Sequence, residues 1–214
     1  MSTRRDFLRQ CSAGLLGAIG GGALPAAPAA PAFREYRRGG MTYRRLGQTD
    51  LHLSLLSFGS HTDPAVRRPA GPGRTVLTED GQARRDRLVA RAFDLGVNLL
   101  DVYDSEGQWE PAARLVAPRR DRVLVSLAHE CTPREIDRAC RLFGHVDLYR
   151  FHTAEIDAPA LETWDVLRRA RDLGKIRAIG IATHVERTLV AALRELEGLD
   201  FLFFPYNFIH ARGD

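Results

Sequence analysis

The stretch NLLDVYDSEGQWE, Asn98 to Glu110, runs a short apolar segment into Asp101 and follows it at once with a polar, glycine-containing loop. A buried strand that stops at a carboxylate reads as the carboxyl end of a parallel-sheet strand, the position where α/β barrels place their chemistry. On its N-terminal side, Glu79 to Leu95 carries Leu88, Val89, Ala92 and Phe93 at helical spacing and stops at Gly96. Working outward, further strands are expected near Leu55 to Phe58, Val123 to Leu127, Val146 to His152, Ala178 to Ala182 and Phe201 to Phe204. Helices are expected near Trp109 to Val116, Pro133 to Leu142, Pro159 to Leu173 and Val185 to Leu196. Before them, a hairpin spans about Thr42 to Leu53, and the Gly/Pro/Arg-rich segment His61 to Arg74 reads as a loop. Strand and helix alternate with connections of the right length, so the expected fold is α/β with a parallel sheet of six strands.

Composition bounds the remaining possibilities. The chain has 214 residues, 44% of them hydrophobic and 27% charged, which suits one ordinary globular domain with a core of its own. The formal charge of +4 is unevenly placed: Met1 to Arg45 holds eight arginines against Asp6 and Glu35, and the rest of the chain is slightly acidic. The positive charge therefore belongs to a leader and its junction, not to a stripe on a folded face, and no nucleic-acid partner is expected. Lys175 is the only lysine, so a mechanism that needs an active-site lysine has one candidate.

The leader has the parts of a twin-arginine export signal. Thr3-Arg4-Arg5-Asp6-Phe7-Leu8-Arg9 precedes the apolar run CSAGLLGAIGGGAL, and Ala27-Pro28-Ala29 and Ala30-Pro31-Ala32 offer small-residue cleavage sites. The apolar run is too short and too rich in glycine for a stable membrane span of roughly 20 residues. The expected organisation is a signal peptide over 1–32, a linker over 33–41 and one domain over 42–214. The twin-arginine export machinery becomes a partner, and the location is periplasmic or otherwise extracytoplasmic.

Beyond the leader, Cys131 and Cys140 lie in one turn-and-helix segment. Nine residues of helix rise about 13 Å, well beyond the Cα separation of a disulfide, so both are expected to be free thiols. The histidines fall just after strands: His61, His129 beside Glu130, His152, His184 and His210, with Asp101 and Glu106 after the strand at Asn98. In a barrel these would gather on one rim, a composition compatible with a divalent metal, although packed or solvent-facing histidines account for the same pattern.

Several segments resemble the aldo/keto reductase family: YRRLGQTDLHLSLLSFG from Tyr43, AFDLGVNLLDVYD from Ala92, VDLYRFH from Val146, LRRARDLGKIRAIGIATH from Leu167, and PYN from Pro205 to Asn207. Five such pieces in order cover about Tyr43 to Asn207. The resemblance implies a (β/α)8 TIM-barrel fold with an N-terminal hairpin, here with about six βα units. The barrel's uncovered edge would then invite another chain. It also implies reduction of a small-molecule carbonyl substrate with NADPH or NADH, which needs a proton donor at the carbonyl oxygen.

In the family an aspartate, a tyrosine, a lysine and a histidine at successive strand ends share this work. Asp101 and His152 stand at the aspartate and histidine positions, Glu106 at that of the tyrosine donor, and Ala128 at that of the lysine. Tyr103, two residues after Asp101, is a second candidate donor. At the positions that hold the nicotinamide carboxamide stand Ala182, Thr183 and Phe203, of which Thr183 alone keeps hydrogen-bonding ability. Two functions are thus compatible with the sequence: a carbonyl reductase, or a catalytically degenerate barrel serving as a binding or assembly module. The metal-holding rim is a variant of the second.

Overall fold

The computed structural model describes residues 35–59, 61–72, 74–103 and 107–206. The proposed leader, Glu106, Asn207 and His210 lie outside the described residues.

Three antiparallel strands open the described chain in the order β1 (Glu35–Arg38), β2 (Met41–Arg45) and β3 (His52–Ser54). The expected hairpin is β2 and β3, and β1 extends it backwards into the segment expected as a linker. Gly39 and Gly40 join β1 to β2 with φ of 58° and 85°, the positive values that a two-residue hairpin loop of matching twist requires. A second hairpin, β4 (Arg67–Gly71) with β5 (Arg74–Leu77), occupies part of the segment expected as a loop. Its glycines and proline are those of an irregular two-stranded ribbon: the register shifts between Pro69 and Gly71, where a proline costs no ladder bond.

Helix α1 (Glu79–Asp94) starts where the Thr78 hydroxyl accepts from the Gly81 N–H, with Glu79 and Asp80 in its first turn, and stops at Gly96 with φ of 93°. Strand and helix then alternate: β6 (Leu99–Tyr103), α2 (Trp109–Val116), β7 (Leu124–Ala128), α3 (Pro133–Phe143), β8 (Val146–His152), α4 (Ala158–Asp172), β9 (Ile176–Ala182), α5 (Glu186–Glu195) and β10 (Phe201–Phe203). Thr132 and Asp157 cap α3 and α4 by accepting from the N–H groups of Glu135 and Ala160, each with a proline in the first turn.

Strands β6 to β10 pair in parallel and in sequence order. Among the described residues the sheet has five strands where six were expected. The segment near Leu55 to Phe58 contributes a single parallel bridge, with the Phe58 N–H donating to Leu99 and the Asp101 N–H donating to Phe58. Leu55 is still bonded to Thr42 in the antiparallel sheet, so the chain reaches β6 only at Phe58.

Alternation along the strands sorts the sheet into two faces. Leu100, Val102, Val125, Leu127, Tyr149, Phe151, Ile179 and Ile181 belong to the core shared with the helices, where Trp109, Ile136, Trp164 and Leu167 meet them. On the other face Leu148 and Ala178 pack with Leu51, flanked by Leu46, Leu53, Leu99, Leu124 and Phe201. This apolar layer closes the N-terminal end of that face with residues of the β2–β3 region. The next layer toward the carboxyl ends of the strands is polar.

Candidate active site

That polar layer is built from Asp101 on β6, Ser126 on β7 and Arg150 on β8. Arg150 is fully buried, and Asp101 is 6% exposed. Two parallel hydrogen bonds join them: Arg150 Nη1 donates to Asp101 Oδ1 at 2.7 Å and Nη2 to Oδ2 at 2.9 Å. The remaining Nη protons go to Ser126 Oγ at 2.6 Å and to the hydroxyl oxygen of Tyr103 at 2.9 Å. The Phe203 ring lies 4.2 Å from the guanidinium carbon and the Tyr103 ring 5.3 Å from it, while Nε is buried with no partner among the described residues.

Local sequence explains how so long a side chain fits. Arg150 is registered opposite Ala128 on one side and Gly180 on the other, so its neighbours in the sheet have almost no side chain. Burial opposes charge on the guanidinium, but the hydrogen bonds and charge of Asp101, and then Tyr103, outweigh it and hold the Arg150 pKa above its ordinary value. The site therefore contains a permanent, dry, neutralised cation that touches a carboxylate and a phenol.

The candidate residues read from the sequence divide into two groups. Asp101 and Tyr103 meet on Arg150, and the His61 ring stacks on Tyr103 at 5.3 Å. His152 is exposed at the end of β8, with its ring 5.4 Å from that of His184. Thr183 is buried, its N–H donates to Phe203 and its hydroxyl accepts from the Val185 N–H, which leaves the hydroxyl proton to donate. Arg150 and Ser126 were missed. The available signal was the one charged residue between Leu148 and His152 on the inward face of VDLYRFH.

The described histidines of the expected rim are dispersed. His129 packs edge-on to Trp109 and lies 3.5 Å from Glu135, His61 is on Tyr103, and His152 is beside His184. Among the described residues no group of three or more His, Cys, Asp or Glu side chains is placed to hold a metal ion. Cys131 and Cys140 are free thiols, and burial pushes Cys131 up to about 12.

The sequence profile of the aldo/keto reductase family matches residues 78–208. Among solved structures, the chain is similar to an aldo-keto reductase from Bacillus halodurans in its apo form, at 22% identity and a TM-score of 0.60 over 78% of this chain and 56% of that one. It is also similar to a glycerol dehydrogenase from Gluconobacter oxydans, at 21% identity and a TM-score of 0.59 over 78% and 56%. A third, the thermostable aldo-keto reductase Tm1743, shares 19% identity with a TM-score of 0.62 over 77% and 62%. The chain thus spans little more than half the length of the first two, and at these identities the likeness is one of fold. No curated protein sequence matches the chain. The profile match over most of the α/β region, carried by a parallel sheet with polar strand ends, makes the chain a member of the aldo/keto reductase family.

Proposed function

We propose that this protein is an NAD(P)H-dependent oxidoreductase that reduces a carbonyl compound, with Tyr103 as proton donor. One observation carries the reading: toward the carboxyl end of β6 a phenol and a carboxylate of the same strand meet on one buried cation from β8. Bound nicotinamide would supply the hydride to the carbonyl carbon. The protein's part is to give the Tyr103 proton to the carbonyl oxygen as the C=O electron pair moves onto that oxygen. Asp101 balances the charge of Arg150, and His152 offers a second polar contact from the end of β8. For the cofactor's carboxamide, the free hydroxyl proton of Thr183 is the donor the chain offers, since Ala182 beside it has none. Glu106 is the competing proton donor. The leader fits export through the twin-arginine route, with the folded protein acting outside the cytoplasm.

The test is titration of purified protein with NADPH and NADH, followed by fluorescence, together with aldehyde-dependent oxidation of the bound cofactor. Cofactor binding and turnover are expected, with kcat lowered by roughly 10²–10⁴-fold in Tyr103→Phe and retained in Glu106→Gln. The reverse ranking of the two variants would transfer the donor role to Glu106. A chain that binds neither cofactor and turns over no aldehyde would overturn the reading in favour of a binding or assembly barrel. That second reading is favoured by the exposed aromatics Phe203, Phe204 and Tyr206 along and beyond β10, a surface suited to another chain.

A further inference from the structure

We propose that Arg150 is the positioning residue of the site: its guanidinium fixes the Tyr103 phenol and meets the charge left on the phenol oxygen when the proton leaves, the task for which this chain has no lysine at Ala128. The proposal rests on Tyr103 being the proton donor. Four contacts support it. The Nη2–H that bonds Asp101 Oδ2 on one side leaves its twin proton for the Tyr103 oxygen on the other, so carboxylate, cation and phenol form one continuous chain of charge-assisted bonds. Nη1 is locked the same way between Asp101 Oδ1 and Ser126 Oγ. With all four Nη protons committed, the fork cannot rotate without losing bonds in a buried site, and the donor aimed at Tyr103 is preorganised.

The geometry also explains why the cation is an arginine and comes from β8. A side chain at Ala128 would approach the phenol from the strand next to β6. Arg150 starts one strand farther away, in register with Ala128, and it must cross the width of β7 to reach Tyr103. Only a long, planar, multiply donating group can do this while holding Asp101 and Ser126 on the way. The small neighbours Ser126, Ala128 and Gly180 leave the space. Because the Tyr103 oxygen accepts from Nη2, its own proton is directed away from Arg150, toward an acceptor elsewhere. After that proton leaves for the carbonyl oxygen, the phenol oxygen keeps the electron pair of the broken O–H bond beside a fixed positive charge. A proton from water restores the phenol.

The experiment compares wild type, Arg150→Lys and Arg150→Met in steady-state reduction of an aldehyde. It adds the NMR resonance of the hydroxyl-bearing ring carbon of Tyr103 in tyrosine-labelled protein, assigned with Tyr103→Phe. A positioning role predicts a fall in kcat of roughly 10²-fold or more in Arg150→Met, a smaller fall in Arg150→Lys, and KM within about twofold in both. It also predicts that the Tyr103 resonance moves in both variants. Should Arg150→Met fail to fold, the charge-retaining Arg150→Lys still decides the question, because an ammonium with three donors on a shorter stem cannot reproduce the four bonds of the guanidinium fork. An unmoved Tyr103 resonance, or a folded Arg150 variant with wild-type kcat, overturns the proposal. A wild type that turns nothing over refutes the reductase reading instead, and the resonance then reports by itself whether Arg150 holds the phenol.

Discussion

Arg150 and Asp101 are each the other's condition for being buried. Removing one side chain leaves an uncompensated charge in a dry layer, at a cost of about 3–5 kcal/mol, whereas replacing both with apolar groups of similar size is close to neutral. Urea unfolding should therefore rank the double variant Asp101→Leu/Arg150→Met as more stable than either single variant, and additive destabilisation would show that the two do not act as a pair. Half of this arrangement was legible in the sequence. Asp101, Tyr103 and His152 announce themselves at the ends of apolar runs, because strand-end polar residues stand out against their neighbours. Arg150 did not, because its role depends on what lies across the sheet: on Ala128 and Gly180 being small, and on Asp101 and Tyr103 being within reach. None of these is adjacent to it in the chain.

The elements themselves were more readable than their neighbours in space. Periodicity gave β8 as Val146–His152 and α2 as Trp109–Val116, since both combine an unbroken pattern with clear boundary residues. It missed the ribbon of β4 and β5, whose Gly, Pro and Arg content carries no alternation, and it made a full strand of a segment that joins the parallel sheet only through Phe58. Elsewhere in the sheet, one residue joins three strands. Asp147 on β8 is fully buried, accepts the Val125 N–H of β7 at 2.8 Å, and is paired with Arg120 at 2.8 Å and with Arg177 of β9 at 2.9 Å. Asp147→Asn keeps the shape and removes the charge. It should lower stability by about 3 kcal/mol in urea unfolding, because Arg120 is largely buried and loses its counter-charge. His145, 3.4 Å from Asp147, adds a pH signature: desolvation and then Arg120 depress its pKa, although Asp147 pulls the other way. A base with a depressed folded-state pKa stabilises above its unfolded pKa of about 6.5 and loses that contribution as pH falls, so His145→Gln should flatten the acid limb of the stability curve.

For the whole molecule, the proposed leader and the fold make compatible demands. A twin-arginine signal suits a chain that folds before it crosses the membrane, and no described helix is long and apolar enough to span one. Replacing Arg4 and Arg5 together with lysine should leave the protein in the cytoplasm of a twin-arginine-competent bacterium. Fractionation checks this, and unchanged export of the double variant would assign the leader another route.

The strict succession β6-β7-β8-β9-β10 means that each new strand pairs with the one laid down just before it, across a single intervening α-helix. Loop closure is then short at every step, and no strand has to wait for a distant partner. A chain emerging from the ribosome could therefore add to the sheet one βα unit at a time. Arg150 would meet Asp101 and Ser126, both synthesised earlier, as soon as β8 docks. In such a vectorial assembly the charged layer is neutralised as soon as β8 docks, while β9 and β10 are still to come.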